Sequence, residues 1–241
     1  MSLSHLFGKT LPELQQVAEE VGLPRFAAKQ MADWLYKKNV ADIGGMTNIS
    51  NKGREALAAG YDVGRVAPVA EVTSVDGTRK MLFDYDGKAV ETAYIPDGRD
   101  EHNTLCVSSQ VGCKMACKFC MTGRQGFAGN LTSGQILNQM ASTTGHEQLT
   151  NIVFMGMGEP MDNTEEVLKS LSILTSPWGY AWSPRRITVS SIGIPGQLVR
   201  LLDESDVHVA ISLHSPDPAR RAELMPAQKG FPIEDTLELL R

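Results

Sequence analysis

Residues 104–120 read TLCVSSQVGCKMACKFC, a short β pattern that leads into a loop with three cysteines. Three further strand patterns follow along the chain, at residues 151–155, 186–190 and 207–213. Helical patterns at residues 133–140, 165–174 and 196–202 separate these strands. This alternation predicts an α/β protein with a parallel sheet or barrel, whose ligand site lies at the carboxyl ends of the strands.

The sequence before residue 104 predicts two smaller units. Residues 66–96 predict an antiparallel meander with turns at Asp76-Gly77 and Asp86-Gly87. Upstream, Thr10 and Glu13 have the spacing of a capping box, and a second amphipathic helix is expected at about residues 25–38. That helix should bury Phe26, Met31, Trp34 and Leu35. We therefore expect a helical accessory domain at residues 1–62, a β meander linker at 63–102, and a βα array at 103–241 that is incomplete at its carboxyl end.

Composition narrows the functional classes. The chain has 241 residues and a net charge of −5, and it lacks both a long apolar run and a secretory signal pattern. We therefore expect a cytoplasmic protein with no membrane partner. All four cysteines lie between residues 106 and 120, which favours metal or redox chemistry over a structural disulfide framework. The segment 102–146 contains Lys114, Lys118 and Arg124 but no acid, which would support a modest contact with phosphate.

Cys113, Cys117 and Cys120 are the strongest functional signal, with Cys-x3-Cys-x2-Cys spacing. Three thiolates on one loop can ligate three irons of a cubane cluster and leave the fourth iron open. S-adenosylmethionine (SAM) can chelate an open iron through its amino and carboxylate groups and receive an electron there. Zinc is an alternative that would need a fourth ligand such as His102 or His146. A disulfide is a further alternative.

Polar residues follow three of the later predicted strands. Gly156-Met157-Gly158-Glu159-Pro160 comes directly after the strand pattern NIVFM, and its carboxylate would suit the ammonium of an amino acid. Ser190 ends the next strand, and Ser212-Leu213-His214 ends the one after it. Each feature alone is common at strand ends. Their convergence on one rim of a parallel sheet favours a binding site.

These motifs resemble one family. VETAYIP, TLCVSSQVGCKMACKFCMTGRQGF, NIVFMGMGEP, SPRRITVSS and HVAISLHSP are similar to the dual-specificity ribosomal-RNA and transfer-RNA adenine C2 methyltransferases of bacteria, the RlmN family, with its C8-methylating Cfr relatives. The resemblance covers nearly the whole chain. It implies a partial radical SAM (βα) barrel, a [4Fe–4S] cluster and SAM as cofactors. The implied partners are 23S ribosomal RNA, transfer RNA and an electron donor such as flavodoxin.

The resemblance also implies individual roles. Cys113, Cys117 and Cys120 match the cluster ligands. Glu91 matches the base that removes the adenine C2 proton, and it could serve if burial raises its pKa; a solvent-facing strand residue is the alternative interpretation. Cys106 matches the thiol that resolves a covalent enzyme–RNA thioether and forms a disulfide. The residues that match SAM contacts are Gly158, Glu159, Ser190, Ser212, Leu213 and His214.

One departure from the family pattern leaves alternatives open. The family carries its methyl group on a cysteine late in the chain, whereas this sequence has no cysteine after Cys120. The 241 residues are expected to be either part of a longer protein or a relative that lost its methyl carrier. Another radical SAM reaction and a cluster-binding remnant that interacts with RNA stay as alternative functions. Candidate phosphate contacts in the helical domain are Lys37, Lys38, Lys52 and Arg54.

Overall fold

A computed structural model describes residues 3–98 and 102–241. Its amino-terminal part is helical and closes on a pair of two-residue parallel strands. The Thr10 side chain and the Glu13 carboxylate form the expected capping box and start the first helix. The elements are β1 (Ser4–His5), α1 (Leu11–Glu20), α2 (Ala27–Ala32) with a π-helical continuation (Asp33–Lys37), a short 3₁₀ helix (Ile43–Gly45), α3 (Asn51–Gly60) and β2 (Tyr61–Asp62).

The rest of the chain is built on one seven-stranded sheet and a separate two-stranded ribbon. The strands are β3 (Ala70–Thr73), β4 (Arg79–Tyr85), β5 (Lys88–Ile95), β6 (Thr104–Cys106), β7 (Gln110–Gly112), β8 (Phe127–Asn130), β9 (Asn151–Phe154), β10 (Ile187–Ser191) and β11 (His208–Ile211). The sheet order is β11-β10-β9-β6-β5-β4-β3, and β7 pairs with β8 in the ribbon. Strands β6, β9, β10 and β11 are parallel, so their carboxyl ends share one edge.

Helices cover one face of the parallel strands. The helices of this part of the chain are α4 (Met121–Gln125), α5 (Ser133–Ala141), α6 (Thr164–Thr175), α7 (Pro195–Glu204), α8 (Pro218–Leu224) and α9 (Ile233–Leu239), of which α4 buries no side chain. Residues on the covered face are fully buried, including Leu105, Ile152 and Val189. The register places Cys106 opposite Ala93 and Val153, so these three residues point to the other face, which is only partly covered. We call this second face the open face.

The predicted elements occur within a few residues of their expected bounds, and the α/β radical SAM-type fold is confirmed. One difference is that the meander is not separate, because β5 pairs antiparallel with β6 and extends the parallel sheet. This pairing satisfies two strand edges that a separate meander would leave open. The expected burial of Phe26 is wrong. Its side chain precedes α2 and is 64% exposed.

The domain boundaries stay a prediction, and the second one borders residues outside the described part of the chain. The structure adds contacts across the first boundary: the Ser133 hydroxyl donates to the Gly8 carbonyl, and Lys169 forms an ion pair with Glu13 at 2.6 Å. Among the described residues, no helix combines the length and the apolarity that crossing a membrane requires.

Candidate active site

The cysteine loop leaves the β7–β8 ribbon through a turn that only glycine fits. Gly112 has φ +73°, and a Cβ at this position would overlap the carbonyl oxygen of Gly126. The Cys113 N–H donates to that same carbonyl at 3.0 Å. Ala116 also adopts left-handed backbone, with φ +52°. This tight path gathers the three cysteines near the carboxyl ends of the parallel strands.

All four cysteines of the chain carry free thiols. Cys113 is 9% exposed, and burial raises the pKa of its thiol to about 11, although an N–H from Met115 lowers it. Glu159, Cys117 and Cys120 raise the pKa of Cys113 further. Burial and then Cys120 also raise the pKa of Cys117. The thiols are therefore close enough to oppose each other's ionisation, which a bound cation would relieve.

Glu159 is a buried acid beside this loop. Its side chain is 4% exposed, and its carboxylate accepts hydrogen bonds from the N–H groups of Ile192 and Met161, both at 3.1 Å. Burial raises the pKa of Glu159 to about 7, while the Ser191 hydroxyl and the two N–H donors lower it. The turn before it uses Gly158 at φ +100°, which packs directly on Gln110. Glu159 thus joins the turn after β9 to the end of β10.

Ser190, Ser212 and His214 complete this edge, which we call the rim. The Ser190 and Ser212 hydroxyls lie 3.3 Å apart, at the ends of neighbouring strands. Leu213 is partly exposed, and His214 has left-handed backbone with φ +55°. The His214 ring packs on the ring of Phe119, with the centroids 4.5 Å apart. Phe119 directly precedes Cys120 in the sequence. The structure therefore places the predicted SAM-contacting residues beside the predicted cluster loop.

Glu91 and Cys106 point to the open face from neighbouring strands. Ala93 lies opposite Cys106, and Glu91 lies two residues before Ala93 on the same strand, so all three side chains share one face. Of the two alternatives for Glu91, the structure has the solvent-facing one: its side chain is 55% exposed and forms an ion pair with Lys80 at 3.0 Å. The alternation of β5 buries Val90 and Thr92 and places Glu91 on the open face. Cys106 is partly buried, and burial raises the pKa of its thiol.

The two histidines that a zinc site would need lie far from the cysteine loop. His102 and His146 precede β6 and β9, so they lie at the amino ends of the parallel strands, away from the cysteine loop. His146 contacts Asn39 at 3.1 Å and Glu147 at 3.4 Å. Within the described ranges, no group of three or more His, Cys, Asp or Glu side chains is arranged to hold a metal ion, and this includes the three cysteines of the loop. The expected disulfide is likewise unsupported, because all four thiols are free. Three free thiols on one loop fit the donor set of an iron–sulfur cluster.

Sequence reasoning missed two groups that hold the rim. Gln110 accepts from the Glu159 N–H at 2.9 Å and donates to Asp162 at 2.7 Å. Lys114 forms an ion pair with Asp162 at 2.8 Å, so this cation of the loop is engaged within the chain. The second group is Arg221, which is fully buried. A local sequence pattern gives no signal for either group, because their partners are distant in sequence.

The chain matches two family models. The Radical SAM superfamily model matches residues 107–241, and the model for the ribosomal RNA large subunit methyltransferase N-terminal domain matches residues 4–63. A "probable dual-specificity RNA methyltransferase RlmN" of Bacteroides thetaiotaomicron is 58% identical, across 100% of this chain and 70% of the relative. The protein of the same description from Porphyromonas gingivalis W83 is 55% identical, across 98% of this chain and 69% of the relative.

More distant relatives agree with this assignment. The dual-specificity RNA methyltransferase RlmN of Desulfotalea psychrophila is 40% identical, across 95% of this chain and 66% of the relative. The crystal structure of a radical SAM methyltransferase from Sphaerobacter thermophilus superimposes with a TM-score of 0.90 at 36% identity. This superposition covers 98% of the present chain and 71% of the solved one. The same fold therefore persists well beyond the most similar sequences.

Proposed function

Because the chain belongs to the RlmN family of radical SAM RNA methyltransferases, we propose that it methylates C2 of an adenosine in 23S ribosomal RNA and in transfer RNA. The observation that carries this proposal is the convergence of three free thiols, a buried carboxyl and paired serine hydroxyls at one edge of the parallel sheet. The dual specificity in the relatives' descriptions supports the choice of RNA substrates. The reaction would take place in the cytoplasm, with an electron donor such as flavodoxin.

Cys113, Cys117 and Cys120 would hold a [4Fe–4S] cluster through their thiolates. When bound, the cluster with SAM supplies the one-electron chemistry that activates a methyl group for transfer to a carbon that is not nucleophilic. Ligation by iron would remove the protons that burial now keeps on the thiols of Cys113 and Cys117. The loop itself would supply N–H donors to sulfur, as Met115 does to Cys113.

The rim would hold SAM through complementary groups. Glu159 would bind the ammonium group, and the cation would favour ionisation of a carboxyl whose pKa burial raises to about 7. Ser190 and Ser212 would donate to hydroxyl or carboxylate oxygens of SAM. Gly158 would allow close backbone approach. Leu213 and His214 would flank the ligand.

Glu91 and Cys106 would act on the RNA from the open face. Glu91 would accept the C2 proton at its carboxylate, with Lys80 fixing its orientation at 3.0 Å. A bound nucleobase would exclude water from this exposed pair. The Cys106 thiolate would attack the sulfur of a methyl-carrying cysteine and join the two sulfurs in a disulfide. The electron pair of the broken carbon–sulfur bond would leave with the carbon, which takes up a proton to become the methyl group of the base. The carrier has no counterpart after Cys120 in these 241 residues.

The test is anaerobic reconstitution of the full-length protein with iron and sulfide. We expect about four irons per chain and 2-methyladenosine in ribosomal and transfer RNA, detected by mass spectrometry of nucleoside digests. Cys117→Ala should lose the cluster and all methylation. Cys106→Ala is the matched control: it should keep the iron and accumulate protein crosslinked to RNA. Full iron in Cys117→Ala would refute the ligand assignment, and 8-methyladenosine as the product would refute the assignment to C2.

A further inference from the structure

Arg221 lies behind the rim and is fully buried, although it is a charged residue on a short helix, α8. Its neighbour Arg220 is exposed, as expected for an arginine beside a helix start. Large charged side chains are rarely buried unless they are paired with an opposite charge. Among the described residues, however, no carboxylate forms an ion pair with Arg221. The position of this guanidinium therefore needs an explanation.

The hydrogen bonds of Arg221 reach both strand ends of the rim. Nη2 donates to the carbonyls of Ile192 at 3.1 Å and Ser212 at 3.2 Å, and Nε donates to Leu213 at 3.2 Å. Nη1 donates to the side chain of Gln228 and to the Phe231 carbonyl. The guanidinium thus holds the ends of β10 and β11 in a fixed relation. Lysine has no planar fork and could not satisfy this set of acceptors.

The Arg221 side chain also links the rim to nearby acidic groups. The Ile192 carbonyl accepts from Arg221, while the N–H of the same residue donates to Glu159 at 3.1 Å. The acids that interact electrostatically with Arg221 are Cys117 and Glu234. The cysteine loop is also tied to α8, because the Lys118 N–H donates to the Leu224 carbonyl at 2.9 Å. One buried cation therefore contacts the ends of β10 and β11 and interacts electrostatically with the cysteine loop.

All direct acceptors of Arg221 are neutral, and within the chain its charge interacts electrostatically with Cys117 and Glu234. Thiolate ligands and the carboxylate of SAM would bring negative charge to this edge. A buried cation nearby would stabilise them, and it would stabilise a cluster further after it gains an electron.

We propose that Arg221 is a positioning residue for the radical SAM centre: it fixes the Ile192 and Ser212–Leu213 segments against SAM, and its buried charge favours the reduced cluster. The inference rests on the proposed function, since it assumes that the three cysteines hold the cluster. It separates two properties of one side chain, the shape of its hydrogen-bonding fork and its charge. Different substitutions remove each of them.

The experiment uses the full-length protein, reconstituted anaerobically, with Arg221→Lys, Arg221→Gln and the control Arg220→Gln. Three quantities are measured: iron per chain, the midpoint potential by redox titration followed by electron paramagnetic resonance, and the affinity for SAM by equilibrium dialysis. Arg221→Lys keeps the charge and loses the fork. It should retain the wild-type potential and bind SAM about tenfold more weakly. Arg220→Gln should match the wild type in all three.

Arg221→Gln removes the charge. At a fixed solution potential, the ratio of reduced to oxidised cluster in this variant should fall about tenfold. This corresponds to a midpoint potential lower by about 59 mV for a one-electron couple. A purely structural role would lower the stability of both Arg221 variants without this difference in potential. Wild-type potential and SAM affinity in an iron-loaded Arg221→Gln protein would overturn the proposal. If Arg221→Gln fails to hold iron, the Arg221→Lys protein tests the proposal instead. An unchanged SAM affinity or a shifted midpoint potential in Arg221→Lys would refute the proposal. Failure of the wild type to hold iron would refute the cluster assignment instead.

Discussion

Two buried polar groups in this molecule are built on opposite rules. The first, which we call the anchor network, consists of Asn39, Arg65, Asn138 and Ser142, and it joins the helical part to the sheet-bearing part. The second, which we call the rim acids, consists of Cys113, Cys117, Cys120 and Glu159. Asn138, Cys113 and Glu159 are buried, and the other members are partly buried. They differ in how the charges and hydrogen-bonding groups within each are matched.

In the anchor network, donors meet acceptors of the same chain. Arg65 donates to the side chains of Asn39, Asn138 and Ser142 and to the Ala141 carbonyl. Asn138 accepts from the Val66 N–H at 3.0 Å and donates to the Val66 carbonyl at 2.9 Å. Such a network is complete as it stands and needs no ligand.

The rim acids have the same sign and interact unfavourably when ionised. Glu159, Cys117 and Cys120 each raise the pKa of Cys113. Evolution of a stable fold alone would not gather four acids in this way. The comparison teaches that mutual satisfaction marks a structural network, whereas buried acids of like sign mark a place where a cation or cationic ligand binds.

The largest expected effect tests the backbone that gathers the rim acids. Gly112→Ala should lower the free energy of unfolding by about 4 kcal/mol and abolish iron binding, because its Cβ would overlap the Gly126 carbonyl at a left-handed position. Gly126→Ala is the matched control. It also has positive φ, but its Cβ would meet open space, so it should cost about 2 kcal/mol from backbone strain alone. Urea unfolding and iron analysis compare the two variants. Equal losses of unfolding free energy and of iron would show that the overlap with the Gly126 carbonyl does not matter.

The next prediction concerns the pH dependence that Glu159 imposes. Its pKa is about 7 in the fold, above the ordinary 4.5, so the folded state holds the proton more tightly. Stability from this group is full below about pH 4.5 and is lost as the pH rises to about 7, by about 3 kcal/mol in total. Glu159→Gln mimics the protonated acid and should remove this slope. It should also weaken SAM binding at pH 8.

Urea unfolding of the wild type and the variant at pH 5 and pH 8 measures the slope. Glu165→Gln serves as the control, since Glu165 is exposed and Arg200 lowers its pKa. This carboxyl should not make the protein less stable as the pH rises from 5 to 8. Parallel pH profiles for the wild type and Glu159→Gln would remove Glu159 from the rim acids and weaken the comparison.

A smaller effect is expected in the anchor network. Asn138→Ala leaves the Val66 N–H and carbonyl without their partners and should cost about 2 kcal/mol of unfolding free energy. Iron content should not change, because the network does not contact the cysteine loop. Asn51→Ala on the exposed face of α3 is the control and should be nearly neutral. Thermal unfolding together with iron analysis tests this prediction. Loss of the cluster in Asn138→Ala would show that the anchor network and the rim acids are not independent.

The sequence predicts the parts of this structure that depend on local pattern. Spacing identifies the cysteine loop, and periodicity places β9 and α6 within about two residues. The pairing of β5 with β6 depends on contacts between distant residues, so no local pattern predicts it. Arg220 and Arg221 are adjacent in PARRAEL, and only the packing of α8 decides that the second is buried.

The smallest expected effect on stability concerns a charge pair outside both groups. Lys80 and Glu91 form an ion pair on the open face, with side chains 57% and 55% exposed. Lys80→Gln should change the unfolding free energy by less than about 0.5 kcal/mol, because water screens exposed pairs. Glu91→Gln should be equally mild in unfolding but should abolish RNA methylation, since an amide cannot accept the C2 proton. Methylation at the wild-type rate by a folded Glu91→Gln protein would show that this exposed carboxylate is not the base. The base would then have to be sought among other residues that face the substrate.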